Sequence, residues 1–367
     1  MWSDFFREKL FFPSPRKDTG RRRLFPVFLP FSGCVQRCLF CAQELQTGRA
    51  AASVHRHLEA AAALLSARRE RGLPALELAF FGGTFTALPP EDMSACLAFA
   101  AHWRKKGAAL AFRCSTRPDC LDPALLAVLK DSGCETVELG VQSFCDAALA
   151  ASRRGYTGEQ AEKACRMVRE SGLRLGVQLM PGMPGLDEAA AWRDVELTLA
   201  LTPDCVRLYP CLVLAGSALA DLWRVGDYQP WELPATVEFL AKSRLRFDLA
   251  GIPVIRTGLA EEPGFAEHIL AGPHHPALGD MVSGRALYLY LSEKMREVSA
   301  TLGERSEKIR ECSAGSLGVP FRLFVPRRFQ GTFWGHGATL AADYAALGLS
   351  RDRVAWWDED RFALSAE

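Results

Sequence analysis

The 367-residue sequence has no run of about 18 apolar residues, so no membrane-spanning helix is expected. It has almost no excess charge of either sign. Its 44 Lys and Arg meet 43 Asp and Glu for a formal net of +1, and no bulk electrostatic argument points to nucleic acid or a membrane surface. No internal repeat or low-complexity tract is present beyond local Ala richness, which leaves no sign of a repeat array. The opening MWSDFFREKLFFPSPRKDTGRRR lacks the apolar core and small-residue cleavage site of a secretory signal. A cytoplasmic setting is therefore expected, and there most thiols stay reduced.

Cysteine is not scarce. The chain has 12, irregularly spaced except in FSGCVQRCLFCAQ (residues 31–43), where Cys34, Cys38 and Cys41 fall within eight residues. Such spacing argues against a disulfide framework and for a localised inorganic site.

Short apolar runs alternate with amphipathic segments along most of the chain. The runs at 25–33, 76–83, 109–116, 136–143, 174–182 and 205–214 are rich in Val, Leu and Phe and end in Gly, Pro or small polar residues. They read as buried parallel strands. Helical periodicity fills 52–71, 90–106, 122–131, 158–171 and 187–201. The stretch TGEQAEKACRMVRESG shows the pattern: Thr157 as cap, Ala161, Cys165 and Val168 on one face, and Gly172 as a stop. Six strand–helix units predict an α/β fold, a partial (β/α)6 TIM-like barrel, with a doubly wound open sheet as the alternative. The expected organisation is a basic arm (1–23), the partial barrel (24–260) and a small C-terminal α+β appendage (261–367). A further helix (235–250) and a strand-like run, IPVIRTGLA (252–260), close the barrel region.

In either fold, functional groups sit where strands end. The three cysteines follow the first expected strand, and GGT, RPD, QS and PGMPG follow the next four. Structural zinc asks for four ligands, usually as two Cys pairs, and no Cys or His lies near the triplet. A remote fourth ligand keeps zinc open. A 4Fe–4S cluster held by three thiolates fits better, since it leaves one iron open to a small molecule.

Cys-x3-Cys-x2-Cys, with Phe40 before the third cysteine, resembles the signature of radical S-adenosylmethionine (SAM) enzymes. FGGTFTALP, STRPDCLD, VELGVQSF, RRGYT, LMPGMPG and LYPCLVLAGSALADLWRVGDYQP occur in order. Over roughly residues 22–260 they resemble the radical SAM domain of the Elongator catalytic-subunit family. The resemblance implies a 4Fe–4S cluster on Cys34, Cys38 and Cys41, with SAM chelating the open iron. It implies reductive SAM cleavage to a 5′-deoxyadenosyl radical that takes hydrogen from substrate. Gly82, Gly83 and Thr84 would then run along the SAM methionine group. Gln142 and Arg154 would hold its ribose and carboxylate, and Gln178 would lie near the ribose. Where the family often has Glu before TRPD, this chain has Ser115, which brings no charge to the SAM amino group. The catalytic residues are not identified by the resemblance. A flavodoxin- or ferredoxin-like reductant and tRNA are the partners it implies. VIRTGLA and GPHHPALGDMV resemble the appendage of bacterial members, and no acetyl-CoA motif of the Q/R-x-x-G-x-G/A kind occurs in 261–367.

Several residues stay open between a site and a structural role. Arg117 and Asp119 fit either a turn around Pro118 or the site. Cys114, Cys120, Cys205 and Cys211 fit buried thiols better than a second cluster, and His274 and His275 fit a rigid turn. The arm has seven Lys and Arg against three Asp and Glu, interleaved with Phe5, Phe6, Phe11 and Phe12. It reads as an RNA grip or as an arm laying its rings on the protein. Competing functions are tRNA base modification, radical chemistry on a small metabolite such as a porphyrinogen, and a non-catalytic iron–sulfur RNA-binding protein.

Overall fold

The computed structural model describes residues 9–16, 22–34, 37–43, 53–259, 264–305 and 321–366. The chain divides into two compact units, one of residues 19–233 and 252–274, the other of 1–18, 234–251 and 275–367. Strand β1 (Leu10–Pro13) lies in the second, so part of the arm and the helix near 235–250 group with the C-terminal residues. Among the described residues no helix is long and apolar enough to cross a membrane.

The larger unit is built on one sheet. β2 (Leu24–Leu29), β3 (Leu76–Gly82), β4 (Ala109–Thr116), β5 (Cys134–Gln142), β6 (Arg174–Leu179) and β7 (Cys205–Leu208) pair in sequence order, all parallel. The expected partial barrel is present as a curled half-barrel, with a seventh parallel strand, β9 (Val254–Thr257), from the strand-like run at 252–260. Between β7 and β9 a short β8 (Val213–Leu214) pairs antiparallel with β10 (Ile269–Ala271).

Helices α1 (Val54–Glu70), α2 (Pro90–Lys105), α3 (Pro123–Asp131), α4 (Asp146–Ala151), α5 (Gly158–Glu170) and α6 (Glu188–Leu201) form the crossovers, and α7 (Ala218–Arg224) follows β8. In α5, Thr157 and Gln160 make a reciprocal capping box, and Ala161, Cys165 and Val168 are buried. The pleat sorts each strand into two faces. On β5, Val137, Leu139 and Val141 are fully buried on one face, while Glu138 and Gly140 take the other. This second face carries the chemistry.

The smaller unit has its own mixed sheet, in the order β1, β13 (Arg361–Ala366), β11 (Phe321–Pro326), β12 (Val354–Trp357). β11 runs antiparallel to β13 and parallel to β12. Helices α8 (Leu233–Leu249), α9 (Leu278–Arg305) and α10 (Ala341–Ala346) accompany it. Its core packs Phe12, Leu291, Leu323, Phe333, Tyr344 and Phe362, with Phe333 and Tyr344 stacked at 4.2 Å. Each such ring or aliphatic chain contributes about 2 kcal/mol by leaving water.

Candidate cofactor-binding site

The cysteine loop is pinned to the end of β3 by backbone contacts that exclude side chains. Thr84 donates its N–H to Ser32 O at 2.9 Å. A Cβ on Gly83 would stand 1.9 Å from Ser32 O, and one on Gly33 2.2 Å from Thr84 O. Gly33 also sits at φ +75°, where other residues are strained. Gln43 ties the loop's far end, accepting from Phe31 N at 2.6 Å and donating to Gly82 O. Leu39 and Phe40 are buried, and Leu39 binds Ser152 O at 3.2 Å and Leu219 N at 2.9 Å. The loop is thus anchored on three sides by apolar burial and main-chain bonds.

Its thiols meet different partners. Cys34 Sγ lies 3.4 Å from Thr84 Oγ1. Cys38 Sγ accepts from Arg154 Nη1 at 2.9 Å and from Arg117 Nη1 at 3.9 Å. Burial pushes the Cys41 thiol up to about 12, with Cys38 and Cys34 adding to the rise. Among the described residues no three Cys, His, Asp or Glu side chains are gathered closely enough to hold a metal ion. The donor chemistry nevertheless suits a thiolate-ligated cluster: three soft sulfurs on one loop, two guanidiniums directed at one of them, and a glycine-lined approach.

Arg154 is only 4% exposed. It donates to Tyr156 Oη at 2.9 and 2.7 Å, to Gly140 O at 2.5 Å and to Cys38. Burial works against its charge, but Tyr156 and Cys38 favour it and the net shift is upward. Arg117 pairs with Asp119 at 2.9 and 2.8 Å and donates to Arg154 O. Arg117 and Asp119 therefore form more than a turn around Pro118: they bring a second cation to Cys38.

At the ends of β5 and β6, Gln178 Nε2 donates to Gln142 Oε1 at 3.0 Å. Gln142 holds a left-handed φ of 66°. The next two residues are strapped by buried Asp194 of α6, which accepts from Ser143 Oγ at 2.6 Å and Phe144 N at 2.8 Å. Burial pushes the Asp194 carboxyl up to about 6, although both hydrogen bonds pull it down. Ser115, Gly83 and Ser32 line one narrow crevice at the strand ends, together with Phe80, Phe81 and Phe85. The structure thus groups Ser115 with Gly83, and the two glutamines with each other. Thr84 is buried against the loop.

Sequence reasoning missed the charges beneath this level. Arg113 of β4 makes two 2.8 Å hydrogen bonds to Glu77 of β3 and one of 3.0 Å to Glu138 of β5. Arg207 of β7 reaches Glu138 across β6 at 2.7 Å. That last contact is close but poorly aligned, leaving both atoms without a hydrogen bond, so it acts as a Coulombic pair. Gly176 lets it happen: a Cβ there would stand 2.8 Å from Glu138 Cγ. The missed signal was one charge at the same strand parity on LELAFF, AFRCST, VELGV and CVRLY. Cys114, Cys205 and Cys211 are buried, and burial pushes the last two thiols up to about 12. His275 Nδ1 accepts from Ala277 N at 3.0 Å, a local turn contact.

A family model for the Radical SAM superfamily matches residues 28–198, and one for the Radical_SAM C-terminal domain matches 203–286. The chain belongs to the radical SAM superfamily. As a radical SAM enzyme, it has a 4Fe–4S cluster and SAM as its cofactors. It is similar to a tRNA uridine(34) acetyltransferase of Methanocaldococcus infernus, 31% identical over 184 residues, 49% of this chain and 32% of that protein. It is also similar to Elongator complex protein 3 of Mus musculus, 29% identical over 192 residues, 46% of this chain and 34% of that protein. The chain spans about a third of the length of these relatives. The archaeal Methanocaldococcus infernus Elp3 structure shares the fold, with a TM-score of 0.55 at 24% identity over 74% of this chain and 63% of that one.

Proposed function

We propose that this radical SAM enzyme modifies a base in transfer RNA, using a cluster ligated by Cys34, Cys38 and Cys41. When bound, the cluster and SAM supply a 5′-deoxyadenosyl radical for hydrogen abstraction. The chain's own residues position and enclose. Gly82, Gly83 and Thr84 offer a close main-chain approach for the methionine group, and Ser115 lines a crevice with Gly83 at the strand ends. The Gln142–Gln178 pair offers amide groups to a ribose. Arg154 and Arg117 offset negative charge at Cys38, and Arg154 can also meet a carboxylate.

The observation that carries this reading is the loop itself: three thiols on a segment locked to GGT, with two guanidiniums on the middle cysteine. The choice of tRNA rests on the similarity to tRNA-modifying proteins over part of their length. Acetyl transfer is not part of the proposal. A flavodoxin- or ferredoxin-like donor would supply the electron, in the cytoplasm.

The test is release of 5′-deoxyadenosine by anaerobically reconstituted, reduced protein, with and without bulk tRNA. Slow cluster-dependent release, raised about tenfold by tRNA, is expected, and Cys38→Ala should abolish it. Full iron and sulfide with no release under either condition would overturn the reading. Release that tRNA leaves unchanged would overturn the choice of substrate, and cleavage retained in Cys38→Ala would overturn the ligand assignment.

A further inference from the structure

The sheet of the smaller unit has one face in the core and one outside it. Phe12, Leu323, Val325, Phe362 and Leu364 belong to the core face. The pleat turns Phe11, Phe324 and Trp357 to the other. Register aligns Phe11 with Ala363, Ala363 with Phe324, and Phe324 with Ala355. The two alanines keep this row low, and the rings lean together over it. Phe11 and Trp357 stack at 6.2 Å with planes 5° apart, and Phe324 meets Trp357 at 5.4 Å. Cations lie on the rings: Lys9 Nζ is 4.0 Å from the Phe324 centroid, and the Arg361 guanidinium 3.9 Å from that of Phe11. Phe11 is 45% exposed.

A sheet face left to water normally carries polar side chains. Here it carries flat aromatic surface with positive charge laid over it, which matches a partner that is itself flat and anionic. The rim is balanced in charge. Arg327, Arg328 and Arg361 are held by Asp358, Asp360 and Glu359 at 2.9, 2.6 and 2.6 Å, so these carboxylates fix the guanidiniums while Lys9 sits on the rings. Arg328 also donates to Ser14 Oγ at 2.7 Å and to Arg16 O.

We propose that this face is a stacking platform for unpaired bases of a structured RNA. Bases stack on Phe11, Phe324 and Trp357, and the flanking phosphates meet Lys9 and Arg361. The choice of RNA rests on the function proposed above, whereas the platform itself rests on the sheet. It also accounts for Phe11 and Phe12, adjacent in sequence, facing opposite ways: one anchors the core and the other offers its ring.

The test measures binding of a fluorescently labelled oligouridylate by anisotropy, with the full-length protein, Phe11→Ala, Trp357→Leu and the double variant. Each single change is expected to weaken binding about tenfold and the double change more, with far-UV circular dichroism unchanged. Ultraviolet crosslinking of the unaltered protein to the same RNA covers the case of a variant that fails to fold, with crosslinks expected at 9–16, 321–326 or 354–361. Undiminished affinity of a folded double variant, or crosslinks confined to 22–233, would overturn the platform and leave the RNA reading standing. Binding to phosphatidylserine vesicles with none to oligouridylate would also overturn the platform and would point instead to a membrane surface. If the unaltered protein binds no RNA, the platform falls, and tRNA stimulation of SAM cleavage still decides the proposed function independently.

Discussion

At the scale of the residue, Gln142 and Asp194 depend on each other. A left-handed backbone costs a non-glycine residue about 1–2 kcal/mol, and the strap from Asp194 to Ser143 and Phe144 offsets that cost. The strap has its own pH signature. The folded carboxyl holds its proton up to about 6, against 3.8 for the ordinary group, so the folded state binds more protons between these values. The contribution of Asp194 to stability is therefore greatest below pH 3.8 and falls as pH rises to about 6, by on the order of 3 kcal/mol in full. Asp194→Asn is expected to remove this decline, read from urea midpoints between pH 4 and 7. Parallel curves for the two proteins would mean that another group titrates. Gln142 and Gln178 were visible in the sequence as amides on apolar strands. Asp194 was not, because an acidic residue in a charged, Ala-rich helix carries no mark of burial.

At the scale of the element, the loop after β2 and the turn after β3 form one unit through main-chain contact. Gly83→Ala forces a methyl group to within 1.9 Å of Ser32 O unless the backbone moves. Main-chain atoms yield less readily than side chains, so a stability loss of about 2 kcal/mol is expected. The larger effect should be on the loop: iron and sulfide content after reconstitution should fall by more than half, with circular dichroism preserved. Iron content equal to that of the unaltered protein would show that the loop does not need the contact. The motif was legible, since GGT after an apolar run is a local pattern. The pairing of Thr84 with Ser32 was not, because it joins residues 52 positions apart.

At the scale of the molecule, a ladder of buried charge links β3, β4, β5 and β7. Glu138, 4% exposed, answers both Arg113 and Arg207. Removing one partner of a buried ion pair leaves charge uncompensated and costs about 3–5 kcal/mol. Glu138→Gln is expected near the lower end, because the Arg207 contact is poorly aligned and Arg113 keeps its two bonds to Glu77. Urea unfolding of the two proteins checks this, and a difference under about 1 kcal/mol would show that the ladder contributes little. The sequence alone determined the strand–helix alternation, the thiol triplet and the glycine turn. Burial periodicity, capping and ligand spacing are written within a few consecutive residues. Only the tertiary structure decided that β9 joins the sheet as its seventh strand, that Phe11 and Phe12 enter a sheet completed by residues near 360, and that four strand charges neutralise one another. Each of these is a choice of partner between residues far apart in the chain, made by packing and desolvation once the chain has folded.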